Sequence, residues 1–402
     1  MSRGDSGFIR PGYDGLEVPD APTVGTATAG DAEVSVTFTA PSEEGGSAIT
    51  GYGVVAVDGS GNSIAGTGSS SPVTVTGLTN GTSYTAKVWA INAYGPSGYS
   101  GASGSFSPAS PRAVFGGGNV LGTKSNVIQY VTITSTGNAT DFGDLTDTID
   151  FSAGLGNSTR GVFGGGINAS STRISTVQYV TIASAGNSTG YGNLSTSNYA
   201  LSGCSNSTRG IFGGGFTTNY INTIEYITIN TSGNTTDFGD LIQINSGLAA
   251  CASSTRAVFG GGETTGDAKL NVIQYVTIAT TGNATDFGDL TSARDGVAGC
   301  SSSTRGLFGG GNTGSRVNNI DYVTIASAGN STDFGDLTTT LSNLAACSSN
   351  IRGLFGGGEE YSNVISYVTI ASTGNATDFG DLLANFGFQS VAACSNAHGG
   401  LS

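Results

Sequence analysis

The chain has 402 residues, of which 67 are glycine and only 10% are charged. The strand formers Val, Ile, Thr, Tyr and Phe dominate and methionine occurs once, which favours an all-β protein over a helical one. The net charge of −14 and the lack of a Lys/Arg run argue against a nucleic-acid partner. There is neither a run of ~18 apolar residues nor the apolar core of a secretory signal, so we expect synthesis in a cytoplasm without membrane insertion.

Residues 1–18 come first and carry scattered glycines and apolar residues without a periodic pattern. They are interpreted as an N-terminal arm, which either stays flexible or anchors the chain to a neighbouring protein.

Residues 19–108 contain Phe38 in VSVTFTAP and, further on, Leu78 followed by Gly81 and Tyr84. On these residues the segment resembles a fibronectin type III domain, in which Phe38 stands where the family commonly has Trp and the spacing from Leu78 to Tyr84 is that of the family's tyrosine corner. The resemblance implies a β-sandwich in which the Tyr84 hydroxyl hydrogen-bonds to backbone upstream. Residues 109–111 are predicted to be a short linker.

From residue 112 onward the chain repeats itself six times. Each copy opens with Arg, then Ala or Gly, an aliphatic residue, Phe and three glycines, and successive arginines are 47 to 49 residues apart. Each copy continues to a tyrosine in a β-branched run and, 12 residues later, to a second aromatic residue. The opening arginines are Arg112, Arg160, Arg209, Arg256, Arg305 and Arg352. A period of this length is typical of propeller blades.

Each copy is predicted to form four short strands, exemplified by GLAACSS, TRGLFGG, NVIQYVTIA and ATDFGDL. A Gly-Asn pair such as Gly282-Asn283 is expected to make a tight hairpin between the third and fourth strands. The repeats begin at a second strand and end after a first strand, Phe388 to Cys394. Because that strand can pair with the one at Arg112, the pattern predicts a six-bladed β-propeller over residues 112–402, closed by a C-terminal strand. A truncated seven-bladed ring is the main alternative.

The layout of these copies resembles kelch repeats, in which an apolar run ends in consecutive glycines and is followed by a tyrosine and a later aromatic residue. In the second copy Gly190 and Tyr191 replace the usual Asp-Phe pair. More narrowly, NVIQYVTIATTGNATDFGDL and the ending SNAHGGLS resemble repeats in structural and tail-associated proteins of marine bacteriophages. That second resemblance implies a virion protein.

Several groups recur in nearly every copy, whereas a catalytic residue is needed only once. The six arginines and the acids beside the fourth-strand aromatic, such as Asp286 and Asp289, are expected to form structural ion pairs or turn caps between blades, with Ca²⁺ binding at the carboxylates as the alternative. His398, the only histidine, has no triad partner near it in sequence. We therefore predict no catalytic residue, no cofactor and no metal site.

Cysteine also recurs once per copy, with Leu155 at that position in the first. Equivalent positions a blade apart are too distant for disulfides, so free, packed thiols are expected. They are Cys204, Cys251, Cys300, Cys347 and Cys394. The NAT-like sequons follow the hairpin glycine and are interpreted as part of the turn rather than as glycosylation sites.

Length varies mainly in the loops between second and third strands, where 9 to 13 residues separate the last glycine from the tyrosine. These loops should share one face with the fourth-to-first connections, and variable loops on a rigid scaffold often carry recognition. Neutral drift of unconstrained loops is the alternative. The candidate binding residues are Lys124, Arg173, Tyr220, Lys269, Arg316, Glu359, Glu360 and Tyr361.

The resulting hypothesis is a non-enzymatic bacteriophage virion protein, tail-associated or on the capsid surface. Its arm and fibronectin-like domain would attach to other virion proteins, and its propeller would bind a host-surface glycan or protein, or neighbouring subunits. A bacterial surface adhesin is the first alternative, and a glycan-processing enzyme the second.

Overall fold

The computed structural model describes residues 17–359, 362–383 and 389–401. It divides into two compact units, with the boundary after Ser110. Regular structure in the described residues consists almost entirely of antiparallel strands, with a short 3-10 helix at Gly399–Leu401, so the all-β prediction is confirmed. None of the helical residues described forms a helix long and apolar enough to cross a membrane. The predicted N-terminal arm lies almost wholly outside the described residues.

The first unit contains a three-stranded and a four-stranded antiparallel sheet. Its strands are β1 (Thr23–Ala29), β2 (Glu33–Thr39), β3 (Gly51–Asp58), β4 (Ser63–Gly68), β5 (Val73–Thr76), β6 (Tyr84–Asn92) and β7 (Gly95–Pro96). The sheet orders are β1-β2-β5 and β4-β3-β6-β7. Buried residues alternate along β2, β5 and β6, because successive side chains of a strand point to opposite faces.

The core of this unit forms between the alternating apolar faces of the two sheets. Phe38 is buried there, with its ring centroid 4.6 Å from that of Tyr52. The Tyr84 hydroxyl accepts a hydrogen bond from the Thr79 backbone N–H at 3.1 Å, which confirms the predicted tyrosine corner. This bond ties the turn before β6 to the strand itself.

Three serines cover the outer edge of β6 beyond β7. Each serine N–H donates to a β6 carbonyl at 2.8 Å, and each serine Oγ accepts from the N–H of the same β6 residue at 2.9 Å. The pairs are Ser97 with Ala90, Ser100 with Val88 and Ser103 with Ala86. The serines recur every three residues in PSGYSGASG. They therefore hydrogen-bond the N–H and C=O groups on the edge of β6 without forming a regular strand.

The second unit contains six four-stranded sheets, called here the first to sixth repeat sheets. The first holds β8 (Arg112–Gly116), β11 (Val127–Thr132), β12 (Thr140–Asp144) and β37 (Ala392–Ser395); the second holds β14 (Ala153–Gly156), β15 (Arg160–Gly164), β17 (Thr176–Thr181) and β18 (Thr189–Asn193); the third holds β19 (Ser202–Ser205), β20 (Arg209–Gly213), β21 (Thr223–Thr228) and β22 (Thr236–Asp240).

The remaining three repeat sheets also contain four strands each. The fourth holds β23 (Ala249–Ala252), β24 (Arg256–Gly260), β27 (Val272–Thr277) and β28 (Thr285–Asp289); the fifth holds β29 (Ala298–Ser301), β30 (Arg305–Gly309), β31 (Asn319–Thr324) and β32 (Thr332–Asp336); the sixth holds β33 (Ala345–Ser348), β34 (Arg352–Gly356), β35 (Val364–Thr369) and β36 (Thr377–Asp381). Short two-residue strands lie in the loops: β9 (Asn119–Val120), β10 (Thr123–Lys124), β13 (Ile149–Asp150), β16 (Ile167–Asn168), β25 (Glu263–Thr264) and β26 (Ala268–Lys269).

In five repeat sheets the four strands pair in chain order, as in β14-β15-β17-β18. In the first, the C-terminal strand β37 pairs with β8, with Ala392 opposite Gly116 and Ser395 opposite Ala113. The four predicted strands per copy are therefore confirmed, as is the pairing of the last strand with the one at Arg112. Phe388, the predicted start of that strand, lies outside the described residues.

The six inner strands contact one another in a cycle. Each one of β14, β19, β23, β29, β33 and β37 packs against the next, and β37 packs against β14. At the entrance to each inner strand one residue has a left-handed φ between 53° and 64°. Its N–H donates to the carbonyl of its counterpart in the preceding sheet, at 2.8 to 3.1 Å. The six are Phe151, Ala200, Gly247, Gly296, Asn343 and Ser390, and the Phe151 N–H donates to Ser390, so the cycle of bonds has no free end.

Each of the six opening arginines connects its own sheet to the next one. Its guanidinium lies 4.2 to 4.8 Å from the ring centroid of the tyrosine in its own sheet. The same group donates to a backbone carbonyl after the third strand of the following sheet, as from Arg256 to Ile325 O at 3.0 Å and from Arg352 to Ile133 O at 3.1 Å. Within the described residues none of the six forms a salt bridge, which contradicts the ion-pair half of the prediction and leaves its other half, caps between blades. Their partners are carbonyls left free where a strand ends.

The predicted tight Gly-Asn hairpin is also wrong. The third strand ends at Thr277 and the fourth begins at Thr285, so a longer connection joins them. That connection reaches the neighbouring sheet, where the Gly282 N–H donates to Phe238 O at 2.7 Å and Asn283 Oδ1 accepts from the Asp240 N–H at 3.0 Å. The equivalent asparagine bond recurs at every sheet boundary, including Asn138 with Asp381. The sequon asparagine thus covers the exposed edge of the preceding sheet.

All five cysteines are buried free thiols, as predicted. Burial raises the pKa of Cys251 and of Cys394 to about 12, so both thiols remain protonated at neutral pH. They pack between sheets: a Cβ added to Gly161 would lie 2.5 Å from Cys394 Sγ. The glycine after the opening arginine therefore leaves room for a neighbouring sulfur atom.

Candidate functional site

The variable loops and the fourth-to-first connections meet at one end of the repeat sheets. The Gly118 N–H donates to Ile149 O at 2.7 Å, and the Ile149 N–H donates to Ser125 O at 3.0 Å. Strand β13 of one connection also pairs with β16 of the next loop. We call this end the variable-loop face.

An aromatic cluster lies on this face, on loops of the second and third repeat sheets. Phe151, Tyr199, Phe216 and Tyr220 form a continuous series with ring centroids 5.9, 5.6 and 5.0 Å apart. The Arg173 guanidinium lies 5.6 Å from the Tyr199 centroid and 5.4 Å from the Phe216 centroid. Arg173 is exposed and the four aromatic side chains are half-buried, so the cluster presents ring surface and donors together.

The Tyr220 hydroxyl connects the aromatic cluster to a charged group. It donates to Glu263 Oε1 at 3.3 Å, and burial, together with the Glu263 carboxylate, raises the pKa of Tyr220 to about 12. Glu263 in turn accepts from Lys269 Nζ at 2.8 Å, and Lys269 also pairs with Asp295 at 2.9 Å. This hydroxyl remains a donor throughout the physiological pH range.

The other predicted binding cations are paired with carboxylates. Lys124 Nζ lies 2.8 Å from Asp150 Oδ2, which is 3% exposed, and Arg316 lies 3.3 Å from Glu359. Glu359 also accepts from the Asn343 side chain at 2.8 Å. These pairs join neighbouring loops, so their charges are largely neutralised in place.

The structure therefore divides the predicted binding residues into two groups. Arg173 and Tyr220 belong to the aromatic cluster, whereas Lys124, Lys269, Arg316 and Glu359 form ion pairs within and between loops. Glu360 and Tyr361 lie outside the described residues. Sequence reasoning missed Phe151, Tyr199 and Phe216, which come from different copies and so show no common pattern in the sequence.

A cavity opens on the variable-loop face, inside the cycle of left-handed residues. It has a volume of about 120 Å³ and is walled by glycines, alanines and aliphatic residues of the inner strands. Phe151 lines it and also belongs to the aromatic cluster, so the two features are continuous. Ser390 lines it as well; its hydroxyl is buried and has no hydrogen-bond partner within the described part of the chain. None of the described lining residues is charged.

The cavity continues into a narrower space of about 50 Å³, which ends at His398. The segment around Gly399–Leu401 packs against three inner strands, β19, β23 and β29. His398 Nε2 donates to Gly156 O at 2.8 Å, and a Cβ on Gly399 would lie 2.0 Å from Ser302 O. Only glycine fits this close approach, and the segment closes the far end of the cavity.

His398 and Ser205 do not form a catalytic pair in this arrangement. His398 Nδ1 accepts from the Gly400 N–H at 3.2 Å, so Nε2 carries the proton. The Ser205 hydroxyl, 3.4 Å from Nε2, gives its own proton to Gly156 O at 2.6 Å. Burial lowers the pKa of His398, which keeps the ring neutral. The nitrogen facing the serine is a donor and has no lone pair for a general base.

No three His, Cys, Asp or Glu side chains converge in the described ranges in a way that could hold a metal ion.

Comparison with known protein families identifies one domain of the chain. Residues 20–104 match the fibronectin type III domain, so this part of the chain is a fibronectin type III domain. The match covers most of the predicted span 19–108 and agrees with the two-sheet core and the tyrosine corner. A comparison of the chain with curated proteins gives no match.

Proposed function

We propose first that the six repeat sheets form a closed six-bladed β-propeller. Three independent sets of contacts support this: the pairing of β37 with β8, the cycle of six backbone bonds at the inner strands, and the arginine bonds that run from each sheet to the next and from Arg352 back to Ile133. A truncated seven-bladed ring would leave one of these series open.

We propose that the protein is a non-enzymatic structural component of a bacteriophage particle, tail-associated or on the capsid surface. The likeness of its repeats to those of phage structural proteins supports the particle assignment. In this proposal the fibronectin type III domain and the N-terminal arm attach the chain to other virion proteins, and the propeller binds a host-surface glycan through its variable-loop face.

The observation that carries glycan binding is the aromatic cluster of Phe151, Tyr199, Phe216 and Tyr220 with Arg173. Ring surfaces supply apolar area for the C–H faces of a sugar, while the Arg173 guanidinium supplies directed donors. Of the predicted cations on this face that the structure describes, Arg173 is the one without a carboxylate partner. Its N–H groups are therefore available to sugar hydroxyls.

Attachment of the purified full-length protein to host cells tests this proposal. Tyr199→Ala should weaken attachment about tenfold, the effect of removing one interfacial aromatic anchor. Tyr99→Ala is the matched control, because Tyr99 is an exposed tyrosine of the fibronectin type III domain. Unchanged attachment of Tyr199→Ala would contradict glycan binding by the cluster.

The particle assignment needs a separate experiment. An antibody against residues 112–402 should label purified phage particles in electron micrographs at a fixed position on the tail or capsid. Particles that lack the protein by both labelling and mass spectrometry would rule out a virion component.

A further inference from the structure

The cavity enclosed by the inner strands is blind. On the variable-loop face its mouth is bounded by the cycle of six left-handed residues, whose backbone bonds run without a break. At its far end the segment containing His398 and Gly399 closes it. A polymer cannot lie across a space walled on all sides or pass through one that is closed at its base. Only a chain end or a side branch can enter.

The lining indicates what kind of chain end would fit. None of the described lining residues is charged, and burying an unpaired charge is costly. A peptide terminus carries an ammonium or a carboxylate, so it is disfavoured. A terminal sugar ring is neutral and combines C–H faces with hydroxyls, which matches alanine and glycine walls with a few polar groups between them.

Ser390 provides an independent observation that this cavity can bind a polar ligand. It is 5% exposed and lines the cavity, and within the described residues its hydroxyl has no partner. Buried hydroxyls are normally hydrogen-bonded, and an exception calls for an explanation. The Ser152 hydroxyl, which lines the same cavity, is also buried without a partner. Two such groups supply a donor and an acceptor for sugar hydroxyls.

We propose that the cavity binds the neutral terminal sugar of a host glycan, with the following residues of the glycan stacked on the aromatic cluster. Phe151 connects the two parts, because it lines the cavity and contacts Tyr199. This proposal rests on the glycan-binding function proposed above and makes it specific: the protein recognises the end of the glycan and not its interior.

Two variants of the full-length protein test end recognition. Ser390→Ala removes the unpaired hydroxyl without breaking a bond, and alanine fits the left-handed position because Ala200 occupies the equivalent one. Ser342→Ala is the matched control, since within the described residues its hydroxyl is also buried without a partner, but Ser342 is not among the described residues that line the cavity. Ala346→Leu fills the space, because Ala346 lines both its wide and its narrow part.

We expect Ser390→Ala to weaken host-cell attachment about tenfold, in line with the loss of hydrogen bonds made only with ligand, and Ala346→Leu to weaken it at least as much. Ser342→Ala should attach like the unmodified protein. In saturation-transfer NMR, at least one methyl glycoside of glucose, galactose, mannose, rhamnose or N-acetylglucosamine should bind the unmodified protein and lose its signal with Ala346→Leu.

The possible failures are distinct. If Ser390→Ala and Ala346→Leu are folded by circular dichroism and attach like the unmodified protein, while Tyr199→Ala does not attach, end recognition is overturned and side-on glycan binding stands. If no methyl glycoside binds although cells are attached, end recognition is likewise overturned. If the unmodified protein does not attach at all, the proposed function itself fails.

Discussion

At the scale of single residues, the same side chain often serves two sheets. Each opening arginine stacks on a tyrosine of its own sheet and caps a carbonyl of the next. Tyr191 shows how a departure from the repeat can be used: it stands where the other copies have Phe, and its hydroxyl lies 2.6 Å from Thr228 O in the following sheet. The substitution adds a polar contact between sheets.

Replacing one opening arginine should destabilise the second unit. Arg256→Ala removes a charge-assisted hydrogen bond and a cation–π contact, so we expect a loss of about 1–3 kcal/mol in unfolding free energy. Urea unfolding followed by circular dichroism measures this, while fluorescence of Trp89, the only tryptophan, reports the first unit separately. Arg173→Ala is the control, because its guanidinium contacts aromatic rings and, in the part of the chain that the structure describes, caps no carbonyl. Equal stability of Arg256→Ala and the unmodified chain would contradict the capping role.

The neutral His398 should make stability depend on pH. Burial holds its folded pKa below the ordinary value of 6.5, so the unfolded state binds the extra proton first. The neutral His398 therefore contributes its full stabilisation of the fold above pH 6.5. This contribution is lost as the pH falls from 6.5 toward the pKa of His398 in the folded state. We expect the difference in melting temperature between the unmodified chain and His398→Gln to shrink or reverse from pH 7.5 to pH 5. A difference independent of pH would mean that the imidazole is not neutral in the fold.

At the scale of elements, edges are covered by means other than regular strands. In the first unit Ser97, Ser100 and Ser103 satisfy β6 with both backbone and side chain. Between the repeat sheets, the connection containing the sequon asparagine covers the fourth strand of the preceding sheet. Both arrangements leave fewer free N–H and C=O groups for pairing with other chains.

The tyrosine corner is testable at this scale. Tyr84→Phe leaves the Thr79 N–H without its partner, so we expect the first unit to lose about 1–2 kcal/mol of stability. Trp89 fluorescence in urea should show a lower midpoint, while the circular dichroism transition of the second unit should stay in place. Tyr99→Phe, at an exposed position, should leave both transitions unchanged.

The sequence predicted the strands well because their alternation and turn residues are local signals. The period located all four strands of each copy, and the spacing from Leu78 to Tyr84 located the corner. It failed where a partner lies in another copy: Asn283 bonds across a sheet boundary, and Arg256 caps a carbonyl nearly 70 residues away in sequence. For the same reason the loops with Arg173 and Tyr220 were found, but their aromatic partners were not.

At the scale of the whole second unit, the proposed closed propeller would depend on β37 for its closure. A chain ending at residue 391 lacks this strand, so β8 keeps an unpaired edge and the inner-strand cycle is broken. We expect this truncation to associate or unfold, as judged by size-exclusion chromatography with light scattering and by thermal denaturation. A chain ending at residue 395 keeps β37 and should remain monodisperse with a lower melting temperature. A well-folded, monodisperse chain ending at residue 391 would contradict closure by β37.

The bonds around the cavity mouth also set how it can respond to a ligand. Each of the six residues there uses its N–H and its C=O in the cycle, so the opening cannot widen unless several hydrogen bonds break together. If the cavity binds a sugar as proposed, the opening would admit molecules that fit its fixed width and exclude wider ones. Discrimination by size, with little entropy lost on ordering, follows directly from that backbone geometry.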